Sequence, residues 1–565
     1  MSKKHADIVS QRGGCTCITI TISSTTKPSK KPSNRASTLS HYQSFISLLS
    51  KTAFPKSHIT NPEAIPSLRT AFSHFTEAFQ NYQEESETTD GIRDRFYPHL
   101  KTTNRVFFDY FGVGLFSGVE KNPNFDFRPI SKYGNLVLHS LYGDPDTLTF
   151  ESQMKKRIME FLNVEQKDYA MVFAVNRESA FKLLAESYPF SHKTRLLSVC
   201  DYNSHGLSLM KEIAVKKGAI AKSASFKWPS LSLRGDQLER EICYGKSYGG
   251  SERNKRERAC GRGMFVVQLQ SRVTGARHSY QWVGVAQEEG WQVVLDSSGL
   301  GPKEMKSIAL SLYKPDFIIS SFYKVFGHDP TGLCTLLIKR PTLSLLDSQV
   351  STTGIACLVP IDENPSPSIS LSTSSSSCLS NFSSSSSFSY GVFSEKKSAG
   401  NDSGHTVKLQ CDGLDQTDTV GLSRERNKLR CLVNWLVHAL LKLHHPPLNN
   451  EDIGLPLIKI YGPKVKFNRG YSVAFNVFDW EGAMVDPFLF QKLADRHDIS
   501  VGCWDLQRVE LGFQKIRVVS VSLSFLSSFE DVYRLWSFVG RFLDADFVEK
   551  EKWRYVTLKQ EIVLV

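Results

Sequence analysis

The chain has 565 residues, of which 41% are hydrophobic and 22% are charged. This length and composition are those of a globular protein with two or three domains. No apolar run approaches the roughly 18 residues that a membrane-spanning helix needs, so no membrane partner is expected. The net charge of +12 lies in local clusters, which indicates a basic surface rather than a nucleic-acid partner. The eleven cysteines are irregularly spaced and do not resemble a disulfide framework, which favours a reducing compartment.

Residues 1–90 are predicted to form a variable, partly disordered leader with helical segments, among them Ser67–Phe79. The first forty residues are rich in Ser, Thr, Lys and Arg, and Asp7 is the one acidic residue among them. Organelle transit peptides have this composition, and so do disordered cytosolic tails. We expect a cytoplasmic protein, with a plastid or mitochondrial location as the alternative.

Two apolar strands, each followed by a chemically active side chain, organise the centre of the sequence. Val293–Leu295 leads to Asp296, and Phe317–Ile319 leads through Ser321 to Lys324. A helix-length segment separates them, so the stretch is predicted to be a strand, a crossover helix and a second strand. Because parallel strands end at one edge of their sheet, the carboxylate and the amine are expected to lie close together.

An amine and a carboxylate placed in this way are the pair that pyridoxal phosphate (PLP) chemistry requires. The lysine holds the cofactor aldehyde as a Schiff base, and the carboxylate keeps the pyridine nitrogen protonated. The alternative is structural: Asp296 caps the following helix, and Lys324 is an exposed loop residue.

The sequence around these two positions resembles a known family. The segments VLDSSGLGP (294–302) and FIISSFYKVFGHDPTGL (317–333) resemble the PLP site of the molybdenum cofactor sulfurases, which belong to the cysteine desulfurase branch of the fold-type-I enzymes. The resemblance implies that Lys324 is the Schiff-base lysine and that Asp296 is the partner of the pyridine nitrogen. It also implies an α/β protein with a large, mostly parallel-sheet domain, a small α+β C-terminal domain, a PLP cofactor and a homodimer.

The expected phosphate site follows the predicted strand Tyr169–Ala174. Fold-type-I enzymes have a Gly-Ala-Thr turn at the start of the next helix, where backbone amides bind the cofactor phosphate. The turn here is Asn176-Arg177-Glu178. The resemblance therefore implies that Asn176 or Ser179 donates to the phosphate and that Arg177 compensates charge. The alternative is a capped helix without a ligand.

Three further cofactor contacts are implied by the resemblance. His205 lies near the family's ring-stacking histidine, and a solvent-facing loop histidine is the alternative. Gln270 belongs to a polar lip that follows an apolar strand, and Ser321 lies just before the lysine loop.

A cysteine in the C-terminal part is the expected sulfur acceptor. Val501–Gln507 stands where the sulfurases have a cysteine-rich loop, and Cys503 matches the first cysteine of that loop. The resemblance implies that its thiolate takes sulfur from the substrate as a persulfide. A buried structural cysteine is the alternative. Ser520 stands at the position of the family's carboxylate-binding arginine, and Arg517 lies three residues earlier.

The sequence predicts a leader (1–90), a PLP-binding large domain (91–350), a Ser-rich disordered insertion (351–423), a small C-terminal domain (424–545) and a tail (546–565). The resemblance covers about residues 105 to 540 and leaves out the sulfurases' molybdenum-cofactor-binding domain. It implies a transferase that converts L-cysteine to alanine and an enzyme persulfide, without a metal site. The alternatives are another fold-type-I PLP enzyme, such as an aminotransferase or a lyase, and a catalytically degenerate scaffold.

Overall fold

A computed structural model describes residues 43, 46–47, 51, 58–102, 104–109, 125–129, 135–142, 150–243, 263–301, 304–305, 313–321, 334–347, 351–360, 412–447, 454–466, 469–508 and 514–557. Every element named below lies in the compact unit Leu48–Val565. Lys324, most of the predicted crossover helix and most of the predicted Ser-rich insertion lie outside the described residues.

The strands belong to two principal sheets and two short pairings. In chain order they are β1 (Val106–Phe107), β2 (Phe125–Pro129), β3 (Tyr169–Ala174), β4 (Arg195–Val199), β5 (Ile220–Ser223), β6 (Phe226–Lys227), β7 (Ser232–Leu233), β8 (Met264–Gln268), β9 (Gln292–Asp296), β10 (Phe317–Ser321), β11 (Cys334–Lys339), β12 (Ala356–Pro360), β13 (Ile458–Tyr461), β14 (Ser472–Val477), β15 (Ile499–Ser500), β16 (Gly502–Arg508) and β17 (Gln514–Ser522). The short pairings are β1 with β15 and β6 with β7.

The helices are distributed along the whole described chain. They are α1 (Leu68–Ala78), α2 (Tyr82–Phe96), α3 (His99–Thr102), α4 (Leu136–Tyr142), α5 (Phe150–Leu162), α6 (Arg177–Ser187), α7 (His205–Lys216), α8 (Gly235–Ile242), α9 (Gln281–Glu288), α10 (Asp412–Thr419), α11 (Leu422–Leu441), α12 (Pro487–Asp495), α13 (Phe529–Gly540) and α14 (Ala545–Thr557). In the part of the chain that the structure describes, no helix is both long and apolar enough to cross a membrane.

The larger sheet carries the candidate site. Its described strands are nine, in the order β2-β12-β3-β11-β10-β9-β8-β4-β5. The run from β5 through β4, β8 and β9 to β10 is parallel, and β11 is antiparallel to both β10 and β3. Strands β3, β4 and β8 are buried at every position, as expected of continuous apolar strands covered on both faces. The parallel pairing of β9 with β10 confirms the predicted strand arrangement.

The smaller sheet is antiparallel, in the order β13-β14-β17-β16. Helix α12 packs against β16 and β17, so one face of this sheet is covered by a helix. The two sheets together confirm the predicted fold class of a large, mostly parallel α/β part with a small α+β part.

Helices α1 and α2 fall largely within the predicted leader and pack on the C-terminal helices. Phe75 of α1 is fully buried, and its ring lies 4.5 Å from that of Phe529 and 4.7 Å from that of Tyr82, measured between centroids. Helix α2 packs along α11. The described ends of the predicted insertion form β12 and α10, and β12 pairs with β2 and β3.

Candidate active site

The candidate site lies where the central parallel strands end. Asp296 is the last residue of β9 and is 1% exposed. It is level with Gln268 at the end of β8 and with Ile319 near the end of β10. Sequence reasoning placed Asp296 at this edge of the sheet, and the structure has it there. Strand β10 ends at the half-buried Ser321, and Lys324, three residues further on, lies outside the described residues.

Asp296 forms a buried ion pair with Arg177, the first residue of α6. The Arg177 Nη2 lies 2.5 Å from the Asp296 Oδ2, and the Arg177 Nε donates to the same oxygen at 3.2 Å. The backbone N–H of Ser298 donates to Oδ1 at 3.0 Å, and the Gln268 amide donates to Oδ2 at 3.2 Å. Both carboxylate oxygens are therefore engaged by donors from the protein.

This environment decides the ionisation of Asp296. Burial by itself would raise the pKa of the carboxyl group, because it disfavours the charged form. The Arg177 charge and the hydrogen bonds from Arg177 and Ser298 outweigh burial and hold the pKa of Asp296 below its ordinary value. The carboxyl group is consequently an anion at neutral pH.

The rest of the Arg177 side chain is also held in place. Its Nη1 donates to the Ser204 hydroxyl at 3.0 Å, and its guanidinium lies 4.7 Å from the centre of the Phe181 ring. Ser204 is the N-cap of α7, so two helix starts meet at this guanidinium. The resemblance implies that Arg177 compensates charge near a phosphate, and the bond between Arg177 and Asp296 was not predicted from the sequence.

The polar groups expected at the phosphate site bond to each other. Asn176 is the N-cap of α6, and its side-chain oxygen accepts the backbone N–H of Ser179 at 2.8 Å. This is the capped-helix geometry that the sequence left open as an alternative. Glu178, in the first turn, keeps a partly exposed carboxylate 3.7 Å from the Arg177 Nη1.

Two other residues expected at the cofactor have distinct surroundings. His205 is exposed at the first position of α7, one residue after Ser204. Gln270 is 1% exposed and donates to the Gly299 carbonyl at 2.8 Å, while its amide oxygen accepts from Arg277 at 2.9 Å. Gln270 therefore holds the backbone of the loop that follows Asp296, through its hydrogen bond to Gly299.

Sequence reasoning missed a group of polar residues beside Asp296. Gln268 is 3% exposed, and its amide nitrogen lies 3.4 Å from the Tyr202 hydroxyl. Tyr202 in turn contacts Trp504 of the small sheet, with ring centroids 5.7 Å apart. The signal that could have found Gln268 is a polar residue ending the apolar run of β8, directly before a turn.

Cys503 lies on a strand rather than in the expected loop. Residues Gly502–Arg508 form β16, in which Cys503 pairs with Val519 and Trp504 with Val518. Neighbouring side chains on a strand point to opposite faces, so Cys503 faces away from the side on which Trp504 meets Tyr202. The Cys503 thiol donates to the Pro487 carbonyl of α12 at 3.3 Å, and burial raises its pKa to about 12.

Arg517 is likewise on the α12 side of the small sheet. Its Nε lies 3.0 Å from the Asp505 carboxylate, and its guanidinium lies 4.3 Å from the centre of the Phe488 ring. Ser520 is buried and donates to the Val273 carbonyl. Among the described residues, no group of three or more His, Cys, Asp and Glu side chains is arranged to hold a metal ion.

Comparison with known proteins identifies the relatives of this chain. No family model matches the sequence. Molybdenum cofactor sulfurase from Bos taurus is 23% identical over 445 residues, which cover 74% of this chain and 44% of that protein. The enzyme of the same name from Solanum lycopersicum is 21% identical, covering 82% of this chain and 58% of that protein, and the one from Caenorhabditis elegans is 25% identical, covering 57% and 40%.

The chain is similar in sequence to the molybdenum cofactor sulfurases. It spans about half the length of the sulfurases it matches, between 40% and 58%. Among solved structures, the apo structure of a cysteine desulfurase from Thermococcus onnurineus NA1 aligns with a TM-score of 0.50 and 18% identity, covering 80% of this chain and 97% of that one. That likeness shows a shared fold, the fold-type-I architecture predicted from the sequence.

The described residues include chemical groups of the kind that PLP binding requires. Asp296 provides a carboxylate for a ring nitrogen at the end of a parallel strand, and the start of α6, where the Asn176 side chain caps the Ser179 N–H, is the helix N-terminus at which a phosphate would bind. Beside Asp296, the Gln268 side-chain oxygen is buried and has no hydrogen-bond partner within the described chain, so a bound donor can satisfy it. The Arg177 guanidinium holds the Asp296 Oδ2 to which a ring nitrogen would bond.

We expect Asp296→Asn to destabilise the chain by about 3–5 kcal/mol at pH 7, because it leaves the Arg177 cation buried without a counter-ion. The folded-state pKa of Asp296 is lowered, so its stabilising contribution is present above its unfolded value of about 3.9 and is lost as the pH falls through the folded value. Urea unfolding of wild type and variant between pH 7 and pH 3 measures this difference, which should shrink with acid.

The control for this variant is Asp505→Asn, which removes the partner of the half-exposed Arg517. A pair of that kind contributes at most about 1 kcal/mol. Equal losses for the two variants, or a loss for Asp296→Asn that does not change with pH, would contradict the ion pair.

We expect the Cys503 thiol to react slowly with iodoacetamide in the folded chain at pH 8, since its raised pKa keeps it protonated and its S–H donates a hydrogen bond to the Pro487 carbonyl. Peptide mapping by mass spectrometry measures the labelled fraction against time, with the urea-unfolded chain as the reference for full reactivity. Labelling as fast in the folded chain as in the unfolded one would show an activated thiolate and refute the structural position of this cysteine.

Proposed function

We propose that this chain is a PLP-dependent transferase of the cysteine desulfurase type, which converts L-cysteine to alanine and transfers the sulfur to a thiol. The observation that carries the proposal is the position of Asp296. It is a buried carboxylate at the end of β9, beside the strand β10 that leads to Lys324, in a fold-type-I sheet. The similarity of the surrounding sequence to the sulfurases supports the same chemistry.

Each residue has a role that follows from its chemistry. When bound, the cofactor supplies an electron-withdrawing ring that stabilises negative charge at the substrate Cα. Asp296 holds a proton at the ring nitrogen, and its lowered pKa keeps it anionic for that task. Lys324 holds the cofactor and moves a proton at the substrate Cα. Gln268 offers a buried acceptor to a donor group on the ligand.

The sulfur step balances with one thiol as co-reactant. The substrate Cβ–S bond breaks, a new S–S bond forms on the accepting thiol, and Cβ takes a proton, which gives alanine and a persulfide. Cys503 stays the predicted acceptor from the sequence. In the described arrangement its thiol faces Pro487 with a raised pKa, so this role requires β16 and α12 to separate first. We also expect a homodimer and a cytoplasmic location.

A catalytically degenerate scaffold is the second candidate. The ion pair between Arg177 and Asp296 and the cap between Asn176 and Ser179 favour it, because both satisfy groups that PLP would otherwise engage. A different PLP reaction, such as transamination or β-elimination, needs Lys324 and Asp296 and does not need Cys503.

Adding PLP to the purified chain should produce an absorbance band at about 410–430 nm, where a lysine-linked cofactor absorbs. Lys324→Ala should abolish the band, because it removes the amine. Incubation with L-cysteine and a reducing thiol should then release alanine and sulfide from the wild type, measured by amino-acid analysis and methylene blue formation.

Three variants separate the candidates. Cys503→Ala should lose persulfide formation if Cys503 is the acceptor, and full turnover by this variant would assign sulfur to another thiol. Conversion of amino acids other than cysteine, without alanine as a product, would favour the alternative PLP reactions. Absence of the band in both wild type and Arg177→Gln at saturating PLP, so that their spectra match that of Lys324→Ala, would refute the enzyme and leave the scaffold.

A further inference from the structure

The Arg177 guanidinium is the cation that Asp296 binds in this structure. A protonated pyridine nitrogen presents one N–H donor and a positive charge to a carboxylate. The Arg177 side chain presents the same charge with two donors, at 2.5 and 3.2 Å from the Asp296 Oδ2. With Ser298 and Gln268 also donating, the carboxylate has no oxygen free of a donor. A pyridine nitrogen can therefore reach Asp296 after the guanidinium has moved.

The guanidinium is strongly retained at this position. Arg177 is 4% exposed, and its second terminal nitrogen donates to Ser204 while its face lies on Phe181. Removing a buried carboxylate's counter-ion is costly unless another cation replaces it. A pyridinium ring can replace the guanidinium as the cation beside Asp296. A ligand without a cationic ring would leave the Asp296 charge uncompensated.

A second anion lies within reach of the displaced arginine. The Glu178 carboxylate is 3.7 Å from the Arg177 Nη1 and is partly exposed, at the start of the helix that the sequence pattern assigns to the phosphate. Glu178 is the acidic residue in the first turn of this helix, so its charge opposes a phosphate there. An Arg177 side chain that leaves Asp296 can pair with Glu178 and remove that repulsion.

We propose that Arg177 is a resident counter-ion of Asp296 that PLP must displace, so that Arg177 sets the affinity of this chain for the cofactor. The inference rests on the proposed function. It makes loading with PLP a competition between two cations, the guanidinium and the pyridinium, for the Asp296 carboxylate.

The test compares PLP binding to the wild-type chain and to Arg177→Gln. Binding is measured by the absorbance band and by quenching of tryptophan fluorescence. Removal of the competitor raises the binding-competent fraction, so Arg177→Gln should lower the PLP dissociation constant on the order of tenfold or more. A carbocyclic analogue, in which carbon replaces the ring nitrogen of PLP, gains nothing from Asp296. Its affinity should be about equal in the two proteins.

Two control variants distinguish an effect of Arg177 on PLP binding from a general loss of folding. Arg195→Gln removes another buried arginine, which pairs with Glu241 at 2.7 Å, and should leave PLP affinity unchanged. The double variant Arg177→Gln/Asp296→Asn removes both charges of the pair and should be more stable than Arg177→Gln alone, with no gain in PLP affinity. If Arg177→Gln does not fold, Arg177→Lys serves instead, because a single ammonium replaces the two-donor contact and should give a smaller gain.

The outcomes distinguish this inference from the proposed function. A lysine-dependent band with equal PLP affinity in wild type and Arg177→Gln overturns the inference and leaves the function standing. Weaker binding by Arg177→Gln also overturns it, since Arg177 then contributes to cofactor binding. PLP binding by Arg177→Gln with none by wild type supports the inference. Absence of binding by every variant overturns both.

Discussion

A buried carboxylate at the end of a central strand requires a counter-ion, and the arrangement of the residues around Asp296 follows from that requirement. Asp296 is 1% exposed, and the cost of its burial is offset by the Arg177 guanidinium together with donors from Ser298 and Gln268. Removing any cation from this position without replacing it would leave an uncompensated charge. The ion pair between Asp296 and Arg177 therefore contributes to the stability of the large sheet.

The topology explains why these groups meet. Strands β8, β9 and β10 are parallel, so Gln268, Asp296 and Ser321 come to one edge of the sheet. Helices α6 and α7 pack against each other and begin at that same edge, which brings Arg177 and the N-cap Ser204 together. From the small sheet, Trp504 reaches Tyr202, so both parts of the fold contribute to the surroundings of Asp296.

The sequence was sufficient to predict features that depend on local patterns. Asp296 follows an apolar strand, and Asn176 follows another directly before a helix, so a strand-end carboxylate and a helix cap were both within reach of pattern reasoning. The pairing of Asp296 with Arg177 could not be predicted in this way. Arg177 has a long side chain whose direction depends on Phe181, Ser204 and Asp296, which are 4, 27 and 119 residues away.

The same limit applies to Cys503. Its match to a cysteine-rich loop suggested an accessible thiol, but pairing with β17 makes Gly502–Arg508 a strand, and alternation along that strand turns Cys503 toward α12. A one-residue difference in register decides between the two faces, and motif similarity does not fix the register. The positions of Asp296 and Cys503 show that strand ends are predicted more easily than strand faces.

Two crystal structures of this chain, one without and one with PLP, would test the competition for Asp296 most directly. Without the cofactor, the Arg177 Nη2 should lie within hydrogen-bond distance of the Asp296 Oδ2, as at 2.5 Å here, and the guanidinium should leave Asp296 when PLP is bound. An Arg177 side chain turned away from Asp296 in the cofactor-free crystal, or one that still bonds Asp296 beside bound PLP, would contradict this competition.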